Sequence, residues 1–157
     1  MFGRENREKF KSADDALDFA IKREEESYGF YTDIASRAKS PGMQKVFKQF
    51  AREEEAHKRK LLNVKEGKKL KEAEKKITDL KISDYLVERQ PSPDMDYQDA
   101  LILAMQKEKA SCRLYNVLAE SATNKDLQNI FLSLAQEAAK HKLRFEIEYD
   151  QEILKKN

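Results

Sequence analysis

Apolar positions recur every three to four residues in four long segments, the spacing of helices that each bury one stripe. In the first segment the stripe is Leu17, Ala20/Ile21, Tyr28, Tyr31, Ala35 and Ala38. Ser12, with Asp15 three residues on, reads as its N-cap, and the segment stops before "KSPG". The second carries Val46/Phe47, Phe50/Ala51, Leu61 and Val64, with Ser40 as cap, Pro41 at the first helical position and an end near Gly67. The third begins around Asp96, paired with Asp99, and carries Leu101, Ala104/Met105, Cys112, Tyr115, Ala119 and Ala122. The fourth runs from about Asn124 with Leu127, Ile130/Phe131, Leu134/Ala135 and Phe145.

Loop lengths turn these segments into an architecture. Short connections join the first helix to the second and the third to the fourth. Residues 67–95 form a long middle connection, lysine-rich and helix-prone at its start and broken by "QPSPD". That is the pattern of an all-α, ferritin-like four-helix bundle with one long crossover. The expected organisation is a single domain over residues 1–157, with a hairpin at 12–66, a crossover at 67–95 and a second hairpin at 96–154. The hairpins also repeat each other without a gap at an offset of 84 residues. Ala20 falls on Ala104, Glu24 on Glu108, Tyr31 on Tyr115, Phe47 on Phe131, Ala51 on Ala135 and His57 on His141.

Several charged residues sit where leucines belong. At ~100° per residue, Glu24 and Glu108 fall within ~20° of the centres of their apolar stripes, and Glu54 lies about as close on the second helix. His57 lies ~40° to the other side of that stripe. Ionised carboxylates persist in a core only when paired or bound to a cation. Three inward glutamates with His57 and His141, drawn from four helices, therefore point to a metal centre. Carboxylates can bridge two cations and neutralise their charge, and imidazole suits iron, zinc or manganese at a terminal position. "EEAH", Glu54 to His57, has the Glu-x-x-His spacing that brings both side chains to one point. In so Glu-rich a chain one such motif is weak evidence; its placement within a repeat gives it weight. Glu25, Glu26, Glu53 and Glu55 read as the solvated sides of their helices. Tyr31 and Tyr115, seven residues after each inward Glu, read as core tyrosines whose hydroxyls bond to a carboxylate.

Composition narrows the function class. Of 157 residues, 38% are charged, but the net charge is only +2, which argues against a dedicated nucleic-acid or membrane surface. One cysteine, Cys112, excludes an internal disulfide framework and any four-cysteine metal site. No apolar run is long enough for a signal peptide or a membrane span, so a cytoplasmic protein is expected.

The motifs together resemble a known group. "REEESYGFY" with "AREEEAH", and "KEKASCRLY" with "AQEAAKH", are similar to the erythrin domain of rubrerythrins in the ferritin-like di-iron superfamily. The resemblance implies Glu24, Glu54, His57, Glu108 and His141 as ligands of a di-iron centre. It implies redox chemistry with peroxide or dioxygen, or oxidation of iron, fed by an external electron donor, and a homodimer. Three departures qualify it. The chain lacks the two Cys-x-x-Cys pairs of a rubredoxin domain. Ser111 stands where the family's third helix carries a second Glu. Ala138 stands where the fourth helix's bridging Glu is expected. Glu137, next door, is the candidate substitute, but it points ~80° from the stripe centre, so its recruitment is expected to need a helix rotation or a bulge. The alternative is a non-enzymatic metal-binding or assembly module built around a degenerate site.

Overall fold

The computed structural model describes residues 9–154. Four long helices, α1 (Ala13–Arg37), α2 (Pro41–Glu66), α4 (Tyr97–Ser121) and α5 (Lys125–Tyr149), are accompanied by the single-turn α3 (Glu74–Ile77) in the crossover. Each long helix starts where a side-chain acceptor can take one of the unpaired N–H groups of its first turn. Ser12 Oγ accepts from Asp15 N, Ser40 Oγ from Met43 N, Asp96 from Asp99 N and Asn124 Oδ1 from Leu127 N, all at 2.8–3.1 Å. These caps obey the same offset as the inward residues, Ser12 with Asp96 and Ser40 with Asn124. The repeat thus extends from chemistry to helix boundaries.

Within the bundle α1 packs mainly on α2 and α4 on α5, while α1 meets α4 and α2 meets α5 across the hairpins. The result is an all-α ferritin-like bundle. Its apolar interior is split in two. One cluster gathers Leu17, Leu61, Leu114, Leu118, Phe131 and Leu134, with Leu70, Ile77 and Tyr85 from the crossover. The other gathers Ile34, Phe47, Leu101, Leu103 and Phe145. Between them lies a layer of buried charged residues.

The crossover is tied to the bundle at both ends. Glu74 Oε2 accepts from Ala13 N at 3.0 Å and Glu72 Oε2 from Thr123 Oγ1 at 2.9 Å. At the far end the Arg37 guanidinium donates to the carbonyls of Pro93, at 3.2 Å, and Met95. Its helical content is only short turns, Lys71–Ala73, α3 and Ile82–Tyr85, because the chain must keep returning an apolar side chain to the bundle. Lys68 begins it with φ 50°, a left-handed conformation that favours glycine.

Three sequence expectations need correction. Tyr28 is 43% exposed, and Phe30, on the opposite edge of the stripe, is buried in its place. Tyr28 lies at the margin of the α1 stripe, where its hydroxyl can stay in water. Cys112 is half-buried rather than a core residue. Glu53 is half-buried rather than solvated, its carboxylate turned to His141 of the opposite hairpin. Among the described residues no helix is long and apolar enough to cross a membrane.

Candidate metal centre

The charged layer holds Glu24 from α1, Glu54 and His57 from α2, Glu108 from α4 and His141 from α5, each only 2–3% exposed. They form two groups that share Glu54. One donor atom from each of Glu24, Glu54 and His57 lies within 4.8 Å of the others, and the same holds for Glu54, Glu108 and His141. Both imidazoles turn Nδ1 toward the shared carboxylate: Glu54 Oε1 is 3.1 Å from His57 Nδ1 and 3.6 Å from His141 Nδ1. Each Nδ1 also faces its own group's second carboxylate, Glu24 Oε2 at 3.5 Å and Glu108 Oε2 at 3.1 Å.

Two tyrosines orient those carboxylates, and they do so across the hairpins. Tyr31 Oη on α1 donates to Glu108 Oε2 on α4 at 2.5 Å, and Tyr115 Oη on α4 donates to Glu24 Oε2 on α1. Both phenols are fully buried, and burial together with the adjacent carboxylate raises their pKa well above the ordinary value. They therefore stay protonated as donors. With Oε2 of Glu24 engaged by Tyr115, its Oε1 is left buried without any hydrogen-bond partner, as is Glu54 Oε1.

A further pair of glutamates holds the outer edges of the imidazoles. His141 Nε2 donates to Glu53 Oε1 at 2.6 Å, and His57 Nε2 lies 3.7 Å from Glu137 Oε1. Again each contact crosses between hairpins. Glu137 approaches the outer nitrogen of His57 from an uninterrupted α5 and belongs to neither of the two triads that share Glu54. A long glutamate can span the angular distance by its own rotamer, although its backbone position is well off the stripe. Glu53, read from the sequence as solvated, is half-buried for the same reason. The repeat carried the missing signal: both glutamates stand four residues before a histidine, one on each hairpin.

The electrostatics show what the layer lacks. Burial, reinforced by the negative charges of Glu108 and Glu24, raises the Glu54 pKa well above the carboxylate range. Burial alone would lower the His141 pKa, but its hydrogen bonds to Glu108 and Glu53 and their charge push it up to about 9. Without a cation the centre therefore gathers protons: Glu54 neutral, His141 charged. Buried carboxylates crowded against one another, two of their oxygens without a hydrogen bond, are what a pair of divalent cations would satisfy.

The Rubrerythrin family profile matches residues 15–149. The chain belongs to the rubrerythrin family. A solved structure described as a hypothetical protein from Pyrococcus furiosus is similar in fold, with a TM-score of 0.63 at 18% identity over 86% of each chain. Comparison with curated proteins gives no match.

Membership of the rubrerythrin family sharpens the meaning of position 138. Ala138 is 2% exposed and occupies on α5 the place that Glu54 occupies on α2. The layer thus has one shared carboxylate instead of two. Ser111, buried one turn after Glu108, has its counterpart in Ser27, buried one turn after Glu24. The residues present still fit a two-metal group: three carboxylates and two imidazoles, two orphaned carboxylate oxygens and oriented donors. The fit is uneven between its halves.

Proposed function

We propose that the chain is a di-iron oxidoreductase of the rubrerythrin type, reducing peroxide or dioxygen or oxidising iron. The observation that carries this reading is the sharing of Glu54 between two triads, Glu24–Glu54–His57 and Glu54–Glu108–His141. A lone structural ion would need only one triad. When bound, iron would supply the electrons to the oxidant; the donor set also accepts zinc or manganese.

The chain's own residues set the conditions. Glu54 would bridge, Glu24 and Glu108 would be terminal, and His57 and His141 would each bind through Nδ1. Tyr115 and Tyr31 hold one oxygen of each terminal carboxylate and so fix which oxygen is free. Glu53 holds His141 by its Nε2–H, which keeps Nδ1 available. Alanine at 138 would leave the pair with one carboxylate fewer to neutralise it. These 157 residues hold a single cysteine and no Cys-x-x-Cys pair, so the reading calls for an electron donor outside them. A cytoplasmic homodimer belongs to the same reading, and exposed Leu132, Leu143 and Ile147 on α5 support self-association.

The test is metal analysis of protein expressed in iron-supplemented medium, followed by peroxide and dioxygen consumption with the reduced protein. About two iron per chain and turnover are expected. Metal only at trace level would overturn the reading. Bound metal without turnover would favour the alternative that Ala138 itself suggests, a non-enzymatic metal-binding module with a degenerate site.

A further inference from the structure

The residue preceding each terminal glutamate is basic and buried. Arg23 and Lys107 stand 84 residues apart, 6% and 5% exposed, at matching points of α1 and α4. Neither is neutralised by an ion pair among the described residues. Arg23 donates from Nη2 to the Tyr85 carbonyl and lies over the Phe19 ring at 5.0 Å, while its Nη1 is buried with no partner. The Lys107 ammonium is 5.9 Å from the Phe30 ring centroid. Two buried cations that repel each other are costly unless something anionic meets them.

That something has room. A cavity of about 320 Å³ opens between α1, α4 and the crossover, lined by Phe19, Lys22, Arg23 and Lys107 and by Leu86 and Val87 of the crossover. Glu26 is the one acidic side chain on its wall, and it is exposed and forms no ion pair with either cation among the described residues. Local charge is thus net positive. The glutamates of the metal centre attract both cations from the other side, but they are already engaged by Tyr31, Tyr115 and the histidines.

We propose that this cavity binds one small oxyanion group, a carboxylate or a phosphate, between Arg23 and Lys107. A guanidinium offers a planar fork of N–H donors and an ammonium adds a point charge, the combination suited to two or three oxygens on one centre. Phe19, Leu86 and Val87 give the same ligand an apolar wall, so a short organic acid can be held by its head and its chain. The site does not depend on metal in the neighbouring layer, and its test is run on full-length protein stripped of metal by chelation.

Inorganic phosphate and butyrate are titrated separately into that protein at constant ionic strength, with chloride as the reference, and binding is followed by calorimetry. Saturable binding at one site per chain is expected, weakened at least tenfold by Lys107→Gln and by Arg23→Gln. Lys107 makes no hydrogen bond to the fold among the described residues, so its variant keeps the test valid if loss of the Arg23–Tyr85 contact disturbs folding. Tighter phosphate binding would assign a free phosphate site, and tighter butyrate binding an organic acid resting on the apolar wall; both support the proposal. No saturable binding beyond chloride, or equal binding in the parent and Lys107→Gln, would overturn it.

Discussion

The two hairpins are the same device built twice, and they differ where it matters most. Caps, inward glutamates, tyrosines, histidines and outer glutamates all recur at one offset, but the first hairpin has Glu54 where the second has Ala138. The consequence is visible in the histidines. His141, beside the alanine, is gripped on both nitrogens, at 3.1 Å by Glu108 and 2.6 Å by Glu53. His57, beside the glutamate, has its closest partner in Glu54 at 3.1 Å and only a 3.7 Å approach from Glu137. A repeat can therefore preserve a scaffold while the two sites it builds drift apart in charge and stiffness.

The largest effect should come from the one carboxylate both halves share. Glu54→Gln keeps the shape and removes the charge, so bound metal should fall at least tenfold at both positions. Glu24→Gln and Glu108→Gln should each deplete one position and largely spare the other. Metal content by elemental analysis reads all three. Since Glu54 is crowded by like charges, the metal-free Glu54→Gln protein should melt no lower than the parent. If Glu24→Gln removes both metals as completely as Glu54→Gln does, the two triads are not separable and the comparison between halves fails.

Restoring the lost symmetry is the converse experiment. Ala138→Glu should raise metal affinity about tenfold or more and even out occupancy between the halves. Unchanged stoichiometry and unchanged redox activity would mean that the alanine is not a vacancy in any functional sense.

A third effect separates the empty protein from the loaded one by pH. Glu54 and His141 both have folded-state pKa values raised above their unfolded values, His141 to about 9. Groups raised in this way contribute stability at low pH that is lost as pH rises through the folded value. For His141 the loss runs from pH ~6.5 to about 9. The metal-free protein should thus melt several degrees lower at pH 9 than at pH 6. Metal needs both groups deprotonated, so its affinity should rise over the same interval, with protons released on binding. Calorimetry in buffers of different ionisation enthalpy measures that release; parallel pH trends for the two forms would contradict it.

How much of this was legible beforehand follows from which signals are local. The helices were, because a cap and a 3.6-residue stripe are local: Ser12, Ser40, Asp96 and Asn124 marked the starts from the sequence. The inward positions of Glu24, Glu54 and Glu108 were too, since helical phase places a residue near a stripe centre. What phase cannot convey is the reach of a long side chain. Glu53 and Glu137 have backbones on the margin and carboxylates at the imidazoles, a rotamer outcome settled by the opposing hairpin. Arg23 and Lys107 were missed for another reason: their burial depends on the crossover laid over α1 and α4, and the path of a connection without strong periodicity is not written in any short window.

The smallest expected effect concerns the ends of the second helix of each hairpin. At the end of α5 the chain winds on through a π turn, Asp150–Leu154, whereas α2 stops at Gly67 and turns into the crossover. The turn places its left-handed residue at Lys68, φ 50°, while Gly67 beside it has an ordinary helical φ of −78°. A side chain in that region costs roughly 1–2 kcal/mol, and a glycine there gives back part of the gain through its freer unfolded chain. Lys68→Gly should therefore stabilise the fold by about 0.5 kcal/mol, a shift of one or two degrees in Tm. A glycine at Glu152, the matching position after α5, should destabilise, because the chain there continues in helical turns. Equal effects of the two substitutions would mean that the ends of α2 and α5 do not differ in the way their backbones indicate.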